Sequence, residues 1–264
     1  MVTMSSADLL LAQQAARAAG DLLLEHWTRR DELSVSRKRG GDFVTDADVA
    51  SEQLVRETLL DARPHDQWLG EETGAEGSGG RRWIVDPLDG TTNFLRGIAH
   101  WAVSIALEHE GRLTVGVVFD PVKNEMFAAE DTQGATLNGQ PVEVAHTDSM
   151  ADALLGTGVP FGQMPYIDEH AADIAKLMPH CAGVRRMGAA SLDLAYVAAG
   201  RLDGFWERRL QLWDIAAGLV LLREAGARLE SWQPDERPED TGTVIAAPEA
   251  LFGPLSAYLN RGSI

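Results

Sequence analysis

The sequence predicts a mixed α/β (α+β) protein whose two halves pack as one rigid unit. Residues 1–145 favour an α+β half, because helical patterns are followed by strand-like alternation with turn signals up to residue 144. Residues 146–264 favour an α/β half, because strand and helix patterns alternate. No Pro- or Gly-rich linker lies near residue 145, so we expect a cleft within one body.

Two helices open the N-terminal half, each with a capping-box pattern at its start. The first helix is predicted over residues 7–29, and the second ends near residue 62. The capping pairs are Ser5 with Asp8 and Thr45 with Asp48.

A hairpin is predicted between these helices, because residues 33–39 alternate like an exposed strand and Gly40-Gly41 follows. We expect this hairpin to be mobile. Its basic run Arg37-Lys38-Arg39 fits a flap over an active site, and it fits a solvated edge strand equally well.

Strands dominate the rest of this half. Short strands are predicted at residues 67–69 and 82–86, and the second ends at Pro87, which lacks a backbone N–H. Asn138-Gly139 is a strong signal for a two-residue hairpin turn. Longer strands are predicted at residues 101–109, 112–119 and 124–129.

The C-terminal half is predicted to alternate between five strands and four helices. The strands are expected at residues 153–157, 183–187, 202–207, 228–232 and 243–246. The helices are expected at residues 166–178, 189–199 and 214–226, and from residue 248.

The composition argues against several functional classes. Lys and Arg total 23 against 40 Asp and Glu, and the net charge of −17 disfavours nucleic acid and anionic membranes as partners. Cys181 is the single cysteine, which excludes internal disulfides and Cys-based zinc motifs. No apolar run approaches the roughly 20 residues of a membrane span, and no signal peptide is recognisable, so a cytoplasmic protein is expected.

The most informative segment follows the second short strand. Asp86 and Asp89 lie three residues apart with the Leu88 carbonyl between them, an oxygen-only set that suits Mg²⁺ better than zinc or copper. Gly90 permits a sharp turn, and the N–H groups from Gly90 onward would bind a phosphate if a helical turn starts there. Asp-Gly is also a common turn dipeptide, so Asp89-Gly90 alone fits an ordinary hairpin turn.

Other carboxylates point to the same chemistry. Glu71 and Glu72 follow a short strand, Asp214 precedes an apolar stretch, and Asp48 ends a capping-box pattern. Each has an ordinary explanation, as a solvated pair or as a helix cap. Acidic residues repeatedly placed at strand ends and helix starts nevertheless favour one shared acidic site.

Together these segments resemble the inositol monophosphatase family, over nearly the whole chain. The resemblance implies a layered α-β-α-β-α sandwich of the inositol monophosphatase and fructose-1,6-bisphosphatase type. It also implies a Mg²⁺-dependent, lithium-sensitive, homodimeric phosphatase of small phosphorylated metabolites. The blocks that carry it are Phe43–Asp48, Gly70-Glu71-Glu72, Trp83–Phe94, Gly188–Asp193, Ala199–Glu207 and Trp213–Gly218.

The same resemblance implies ligands for two or three Mg²⁺ ions, for which Mn²⁺ could substitute. One ion would be held by Glu71, Asp86 and the Leu88 carbonyl. A second would be held by Asp86, Asp89 and Asp214. A third, weaker ion would lie near Glu71 and Asp48.

It also implies how substrate is bound and attacked. Thr91 with Asp48 would orient the attacking water, and Glu71 would share the catalytic role. The phosphate would lie against the N–H groups of Gly90 and Thr91. The other substrate contacts are implied for Asp89 and Asp214 and, on the alcohol side, for Gly188, Ala189, Ala190 and Glu207.

The resemblance specifies the substrate less closely than it specifies the fold and the metal ligands. The ending Thr91-Thr92-Asn93-Phe94 favours inositol 1-phosphate, histidinol phosphate or fructose 1,6-bisphosphate over adenosine bisphosphates, and inositol 1-phosphate is our first choice. Arg208 and Arg209 follow Glu207, where many relatives have small residues. Either one arginine reads a second anionic group, or both are solvated loop charges.

Two alternatives remain open at this point. Leu88-Asp89-Gly90-Thr91 resembles part of the motif of haloacid dehalogenase-type phosphatases, but Pro87 stands where their nucleophilic aspartate should be. A catalytically weak metal-binding scaffold or regulatory protein is the alternative from another class. The joint presence of Glu71, Asp86, Asp89 and Asp214 argues against it.

Overall fold

The computed structural model describes residues 6–30, 33–39, 42–159 and 166–259, without the side chains of residues 37–39, 42 and 43. The helices are α1 (Ala7–Thr28), α2 (Asp46–Ala62), α3 (Thr91–Arg96), α4 (Ile167–Leu177), α5 (Ala190–Ala198), α6 (Leu212–Glu224), α7 (Pro238–Thr241) and α8 (Glu249–Tyr258). The strands are β1 (Val35–Arg39), β2 (Asp42–Thr45), β3 (Gln67–Gly70), β4 (Gly74–Glu76), β5 (Arg81–Asp89), β6 (Ala102–His109), β7 (Arg112–Asp120), β8 (Glu125–Glu130), β9 (Gly134–Leu137), β10 (Gln140–Val142), β11 (Leu154–Thr157), β12 (Gly183–Arg185), β13 (Gly204–Glu207), β14 (Arg228–Glu230) and β15 (Val244–Ala247).

The elements stack in five layers. An eight-stranded sheet has the order β10-β9-β8-β7-β6-β5-β3-β4, and a five-stranded sheet has the order β12-β11-β13-β15-β14. Helices α1 and α2 cover the outer face of the first sheet, α5 and α6 lie between the sheets, and α8 with α4 covers the second. This arrangement confirms the predicted α-β-α-β-α sandwich.

The first sheet is antiparallel apart from the β3–β5 pair, and the second is mixed. Successive side chains along each strand point to opposite faces of the sheet, so one strand contributes apolar side chains to the core on each side of it. On β5, Trp83 and Val85 pack under α1 and α2, whereas Ile84 packs against the α5–α6 layer. On β13, Phe205 packs in the core between the two sheets, with α5 and α6, whereas Trp206 packs in the core between the second sheet and α8.

The start of α1 differs from the prediction. Ser6 is the N-cap, and its hydroxyl accepts a hydrogen bond from the Leu9 N–H at 3.2 Å. The proposed capping serine, Ser5, lies outside the described residues. The second capping box is confirmed, because Thr45 and Asp48 exchange side-chain and backbone hydrogen bonds at the start of α2.

The end of β5 was predicted wrongly. The strand does not stop at Pro87 but continues to Asp89 through a bulge, because Asp86 pairs with Ser104 and Asp89 pairs with Ala102 on β6. The three residue steps from Asp86 to Asp89 on β5 thus oppose the two steps from Ser104 to Ala102 on β6, so β5 carries one extra residue. Pro87 lies within this bulge, where no N–H is required for strand pairing. The Asn138-Gly139 hairpin turn is confirmed, with both residues at positive φ.

The predicted hairpin before α2 is formed by β1 and β2. Gly40-Gly41 and the side chains of Arg37, Lys38 and Arg39 lie outside the described part, so its mobility and its role as a flap stay predictions. No helix within the described ranges is long and apolar enough to cross a bilayer.

Candidate active site

The predicted carboxylates meet where strand ends and helix starts from both sheets converge. Glu71 follows β3, Asp86 and Asp89 end β5, and Asp214 lies in the first turn of α6. Each of Asp86 and Asp214 interacts electrostatically with Glu71 and Asp89. The structure therefore brings together four of the acidic residues that the sequence singled out.

Asp86 lies deepest in this group. Its side chain is buried, and its carboxylate accepts a hydrogen bond from the Leu88 N–H at 3.0 Å. Burial raises the pKa of Asp86 well above its ordinary value, and the negative charges of Glu71, Asp89 and Asp214 raise it further. Like charges held in one buried cleft attract cations.

Asp89 and Asp214 also cap helices. The Asp89 carboxylate accepts hydrogen bonds from the Ser191 N–H at 2.7 Å and the Ser191 hydroxyl at 2.5 Å, at the start of α5. The Asp214 carboxylate accepts one from the Gln211 N–H at 2.7 Å, at the start of α6. Burial nevertheless raises the pKa of both aspartates.

Within the described part of the chain, no three acidic, His or Cys side chains converge in the geometry of a metal centre. The donors themselves fit a hard divalent cation, since all are carboxylate or carbonyl oxygens. The predicted ligands therefore have the right donor atoms for Mg²⁺ and lie near one another. That they coordinate a metal ion stays a prediction.

Thr91 and Asp48 lie in direct contact, as their proposed joint role requires. The Thr91 hydroxyl is 3.1 Å from the Asp48 carboxylate and 3.0 Å from the Leu88 carbonyl, and its single proton serves one acceptor at a time. Burial raises the pKa of Asp48 to about 6, although hydrogen bonds from Thr45 and Thr91 lower it. Asp48 is therefore poised to change protonation near neutral pH.

The turn after Asp89 has the backbone that the sequence predicted. Gly90 has φ +92°, and a Cβ there would lie 3.1 Å from the His100 carbonyl oxygen and 3.3 Å from the Ala189 Cβ. Glycine is required for both reasons. Helix α3 starts at Thr91, so the predicted helical turn is confirmed and its first N–H groups have no partner within the helix.

The residues expected on the alcohol side lie at the start of α5 and at the end of β13. Gly188 (φ +86°) and Ala189 lead into α5, which begins at Ala190, and Ala189 contacts Gly90. Glu207 ends β13 with 6% of its surface exposed. Burial raises the pKa of Glu207 to about 8, assisted by the charge of Asp193 and opposed by Arg186.

Arg208 is not a solvated loop charge, whereas Arg209 lies in a surface ion pair. Arg208 forms an ion pair with buried Asp173 of α4, and its guanidinium lies 3.5 Å from the Trp232 ring centre. Arg209 bonds Glu169 of α4 at 2.9 Å and lies 3.5 Å from the Tyr166 ring centre. Both arginines are thus committed to α4 and its surroundings, which gives no support to their reading a second anionic group.

Three polar residues near the site were not singled out from the sequence. Asn93 donates hydrogen bonds to the His100 carbonyl at 2.8 Å and the Met187 carbonyl at 2.9 Å, and so ties α3 to the approach to α5. Asp193 is 1% exposed, and its Oδ1 lies 3.7 Å from the His100 Nε2. Neither of these two atoms has a hydrogen-bond partner among the residues described. Asn93 and Asp193 fall inside recognised blocks, whereas nothing in the sequence marks His100.

Known proteins resemble this chain over its full described length. The sequence profile of the inositol monophosphatase family matches residues 6–261. An inositol-1-monophosphatase of Rhizobium meliloti is 44% identical over 260 residues, covering 97% of each chain. The Nus factor SuhB of Pseudomonas aeruginosa is 45% identical over 253 residues, covering 94% of this chain and 93% of the relative. The crystal structure of the extragenic suppressor protein suhB from Bartonella henselae superposes with a TM-score of 0.94 at 39% identity, covering 98% of this chain and all of that one.

Proposed function

The chain belongs to the inositol monophosphatase family and is a phosphoric monoester hydrolase, and from this we propose that it hydrolyses inositol 1-phosphate with the help of Mg²⁺. One observation supports the site above all others. Glu71, Asp86, Asp89 and Asp214 form one group of interacting carboxylates beside the start of α3, and each of the last three has a raised pKa. The family match also removes the haloacid dehalogenase-type alternative.

We propose the metal ligands that the sequence indicated. Glu71, Asp86 and the Leu88 carbonyl would hold one ion, and Asp86, Asp89 and Asp214 a second, with a weaker third near Glu71 and Asp48. When bound, such ions lower the pKa of water and neutralise phosphate oxygens. Mn²⁺ is expected to replace Mg²⁺, because both prefer oxygen ligands.

The protein groups around this set have separable roles. The Asp48 carboxylate accepts the Thr91 hydroxyl hydrogen bond, so the pair can orient a water for in-line attack and receive its proton through Asp48. Glu71 would assist. The N–H groups of Gly90 and Thr91, at the start of α3, would bind the phosphate oxygens.

The alcohol would lie against the other wall. We propose that Gly188, Ala189 and Ala190 line this side of the site, and that the Glu207 carboxyl at the end of β13 hydrogen-bonds substrate hydroxyls. A group with a pKa of about 8 is protonated near neutral pH, so Glu207 could donate as well as accept. A polyol with several hydroxyls fits these features.

Inositol 1-phosphate is favoured over the alternatives for two reasons. A relative 44% identical over 97% of this chain is named an inositol-1-monophosphatase. Arg208 and Arg209, the residues considered for a second phosphate, are engaged with α4. Histidinol phosphate and fructose 1,6-bisphosphate remain the alternatives within the family.

The decisive test is phosphate release with Mg²⁺ from a panel of inositol 1-phosphate, histidinol phosphate, fructose 1,6-bisphosphate and adenosine 3′,5′-bisphosphate. We expect inositol 1-phosphate to have the highest kcat/KM, and Asp89→Asn to abolish its hydrolysis. A clear preference for another phosphate would replace the substrate. Failure to cleave any of them would favour the scaffold alternative.

A second candidate function comes from the relative in P. aeruginosa, which is named a Nus factor and is 45% identical over 94% of this chain. The two functions can be distinguished by expressing this protein in a bacterial strain that lacks its own SuhB. Complementation by both the wild-type protein and Asp89→Asn would favour a role that does not need hydrolysis. Complementation by the wild-type protein alone would tie the role to catalysis.

Three further properties are proposed on the family resemblance. We propose a homodimer, to be tested by light scattering coupled to gel filtration. We propose inhibition by Li⁺, to be tested in the same phosphate-release assay. A cytoplasmic location is proposed as well, and fractionation of cells would test it.

A further inference from the structure

We propose that Glu52 is a positioning residue for the active site, because its buried carboxylate fixes the turn that carries Glu71. The inference rests on the proposed function, in which Glu71 holds a metal ion and assists catalysis. Glu52 lies on α2, and nothing in its sequence context marks it as functional.

The Glu52 carboxylate accepts hydrogen bonds from the turn after β3. The residue is 1% exposed. One carboxylate oxygen accepts the Glu72 N–H at 2.8 Å, and the other accepts the Thr73 N–H at 2.9 Å and the Thr73 hydroxyl at 2.6 Å. Hydrogen bonds to an ionised acceptor are roughly twice as strong as neutral ones. Two of the three hold the backbone immediately after Glu71, and the third holds the Thr73 side chain.

The surrounding residues are shaped to admit this carboxylate. A Cβ on Gly70 would lie 2.6 Å from the Glu52 carboxyl carbon, so only glycine permits the close approach. The Trp68 indole N–H donates to the Thr73 hydroxyl oxygen at 2.9 Å. The Thr73 hydroxyl therefore donates a hydrogen bond to Glu52 and accepts one from buried Trp68, which fixes the Thr73 rotamer.

Glu52 is one of three polar residues along one buried face of α2. Asp48, Ser51 and Glu52 have the i, i+3, i+4 spacing that places side chains on one side of a helix. Asp48 contacts the Thr91 hydroxyl, and the Ser51 hydroxyl donates to the Pro87 carbonyl at 2.9 Å. With Glu52 on the turn after Glu71, one helix touches the turn after β3, the bulge of β5 and the start of α3.

This arrangement predicts what Glu52 does. Glu71 comes from the end of β3, and Asp86 from the bulged end of β5, so their separation depends on how these two segments are held. The pairing of β3 with β5, including the Glu71 N–H bond to the Val85 carbonyl at 3.1 Å, sets the backbone separation, and α2 adds a hold on the turn after Glu71 and on the bulge after Asp86 before a cation arrives. Loosening one contact should therefore weaken metal affinity more than it slows the reaction at saturating metal.

The test compares Glu52→Gln and Thr73→Val with the wild-type protein. Gln keeps the size of Glu but must turn an N–H₂ toward a donor, and Val removes the Thr73 hydroxyl without changing its shape. We expect each to weaken Mn²⁺ binding by about 10-fold or more, the range found when groups that support metal ligands are removed. Electron paramagnetic resonance of free Mn²⁺ measures this without catalysis.

The controls separate charge and packing from positioning. Glu57→Gln removes the same charge from the exposed side of α2 and should bind Mn²⁺ as the wild type does. Thr73→Ser keeps the hydroxyl and should restore most of the affinity that Thr73→Val loses. In phosphate-release assays, Glu52→Gln and Thr73→Val should need more Mg²⁺ for half-maximal rate, with a smaller change in kcat.

Wild-type Mn²⁺ affinity and Mg²⁺ response in both Glu52→Gln and Thr73→Val would overturn the inference and leave the proposed function intact. A wild-type protein that binds no Mn²⁺ and hydrolyses no panel substrate would overturn the proposed function and the positioning role with it. If Glu52→Gln fails to fold, the Thr73→Val and Thr73→Ser pair decides alone.

Discussion

The carboxylate of Asp89 accepts two hydrogen bonds from Ser191, one from the backbone N–H at 2.7 Å and one from the hydroxyl at 2.5 Å. Ser191 lies in the first turn of α5, so an aspartate at the end of the first sheet stabilises the start of a helix in the middle layer. The same carboxylate is a proposed metal ligand and raises the pKa of Asp86 and Asp214. Asp89 therefore couples the fold to the acidic site.

Replacing Asp89 by Asn should separate activity from stability. Phosphate release should fall by more than about 100-fold, beyond the range seen for groups that only support a ligand. Stability in EDTA should be unchanged or higher, because Asn still offers Ser191 an oxygen acceptor and removes a charge that Asp86 and Asp214 repel. Phosphate-release assays and thermal unfolding in EDTA measure the two effects.

Asp61→Asn is the matched control, since it removes one negative charge at the exposed end of α2. It should leave activity unchanged. A fall in stability for Asp89→Asn with activity retained would mean that the residue chiefly caps α5.

Glu207 should make the metal-free protein less stable as pH rises. Its pKa is raised from an ordinary 4.5 to about 8 by burial, so the folded state holds the proton more tightly than the unfolded state. The stabilising effect is complete below about pH 4.5 and is lost as pH rises through about 8. Glu207→Gln, which carries no charge, should lack this loss, and the difference should reach a few kcal/mol, since one pKa unit is about 1.4 kcal/mol.

Urea unfolding of both proteins in EDTA, near pH 5 and near pH 9, measures this difference. The free energy of unfolding of Glu207→Gln should increase relative to that of the wild type as pH rises. Parallel pH profiles would show that Glu207 ionises in the folded protein without penalty.

The parts of the site that could be predicted are those whose residues are close in sequence. Thr45 and Asp48 form their capping box within one helical turn, and Asp86, Asp89 and Gly90 belong to one bulged strand end. Helix and strand periodicity likewise depends on residues close in sequence, so it located most of the elements. The short α7 and β4, by contrast, lack enough residues to show a period.

What could not be predicted depends on distant partners. Pro87 continues a strand because β6 accommodates a bulge opposite it, which no local rule for proline shows. Arg208 is held by Asp173, 35 residues away, and Glu52 bonds a turn about 20 residues further on. Such pairings follow from the packing of the layers and leave no periodic or spacing signal.

Arg208→Ala should destabilise the protein without changing substrate preference. The change leaves the carboxylate of Asp173, 4% exposed, without its cation, a loss that costs about 3–5 kcal/mol when an ion pair is buried. Arg209→Ala should cost at most about 1 kcal/mol, because its partner Glu169 is exposed. Urea unfolding measures both.

The ratio of rates on fructose 1,6-bisphosphate and inositol 1-phosphate should stay the same in the Arg208→Ala, Arg209→Ala double variant. A selective loss of bisphosphate hydrolysis would show that an arginine leaves α4 to bind the second phosphate.

Thr91→Val should remove a catalytic group at small structural cost. Val has nearly the shape of Thr but cannot donate to Asp48 or to the Leu88 carbonyl, so kcat should fall by about 10²-fold or more while KM changes little. The hydrogen bond from Thr91 lowers the pKa of Asp48, which is about 6, so its loss should shift the acidic limb of the pH–rate profile to higher pH. Thr91→Ser keeps the hydroxyl and should stay within a few-fold of the wild type on both measures. Equal rates and equal pH profiles for the Val and Ser variants would exclude the hydroxyl from the reaction and leave Thr91 as a contact that only holds α3 against α2.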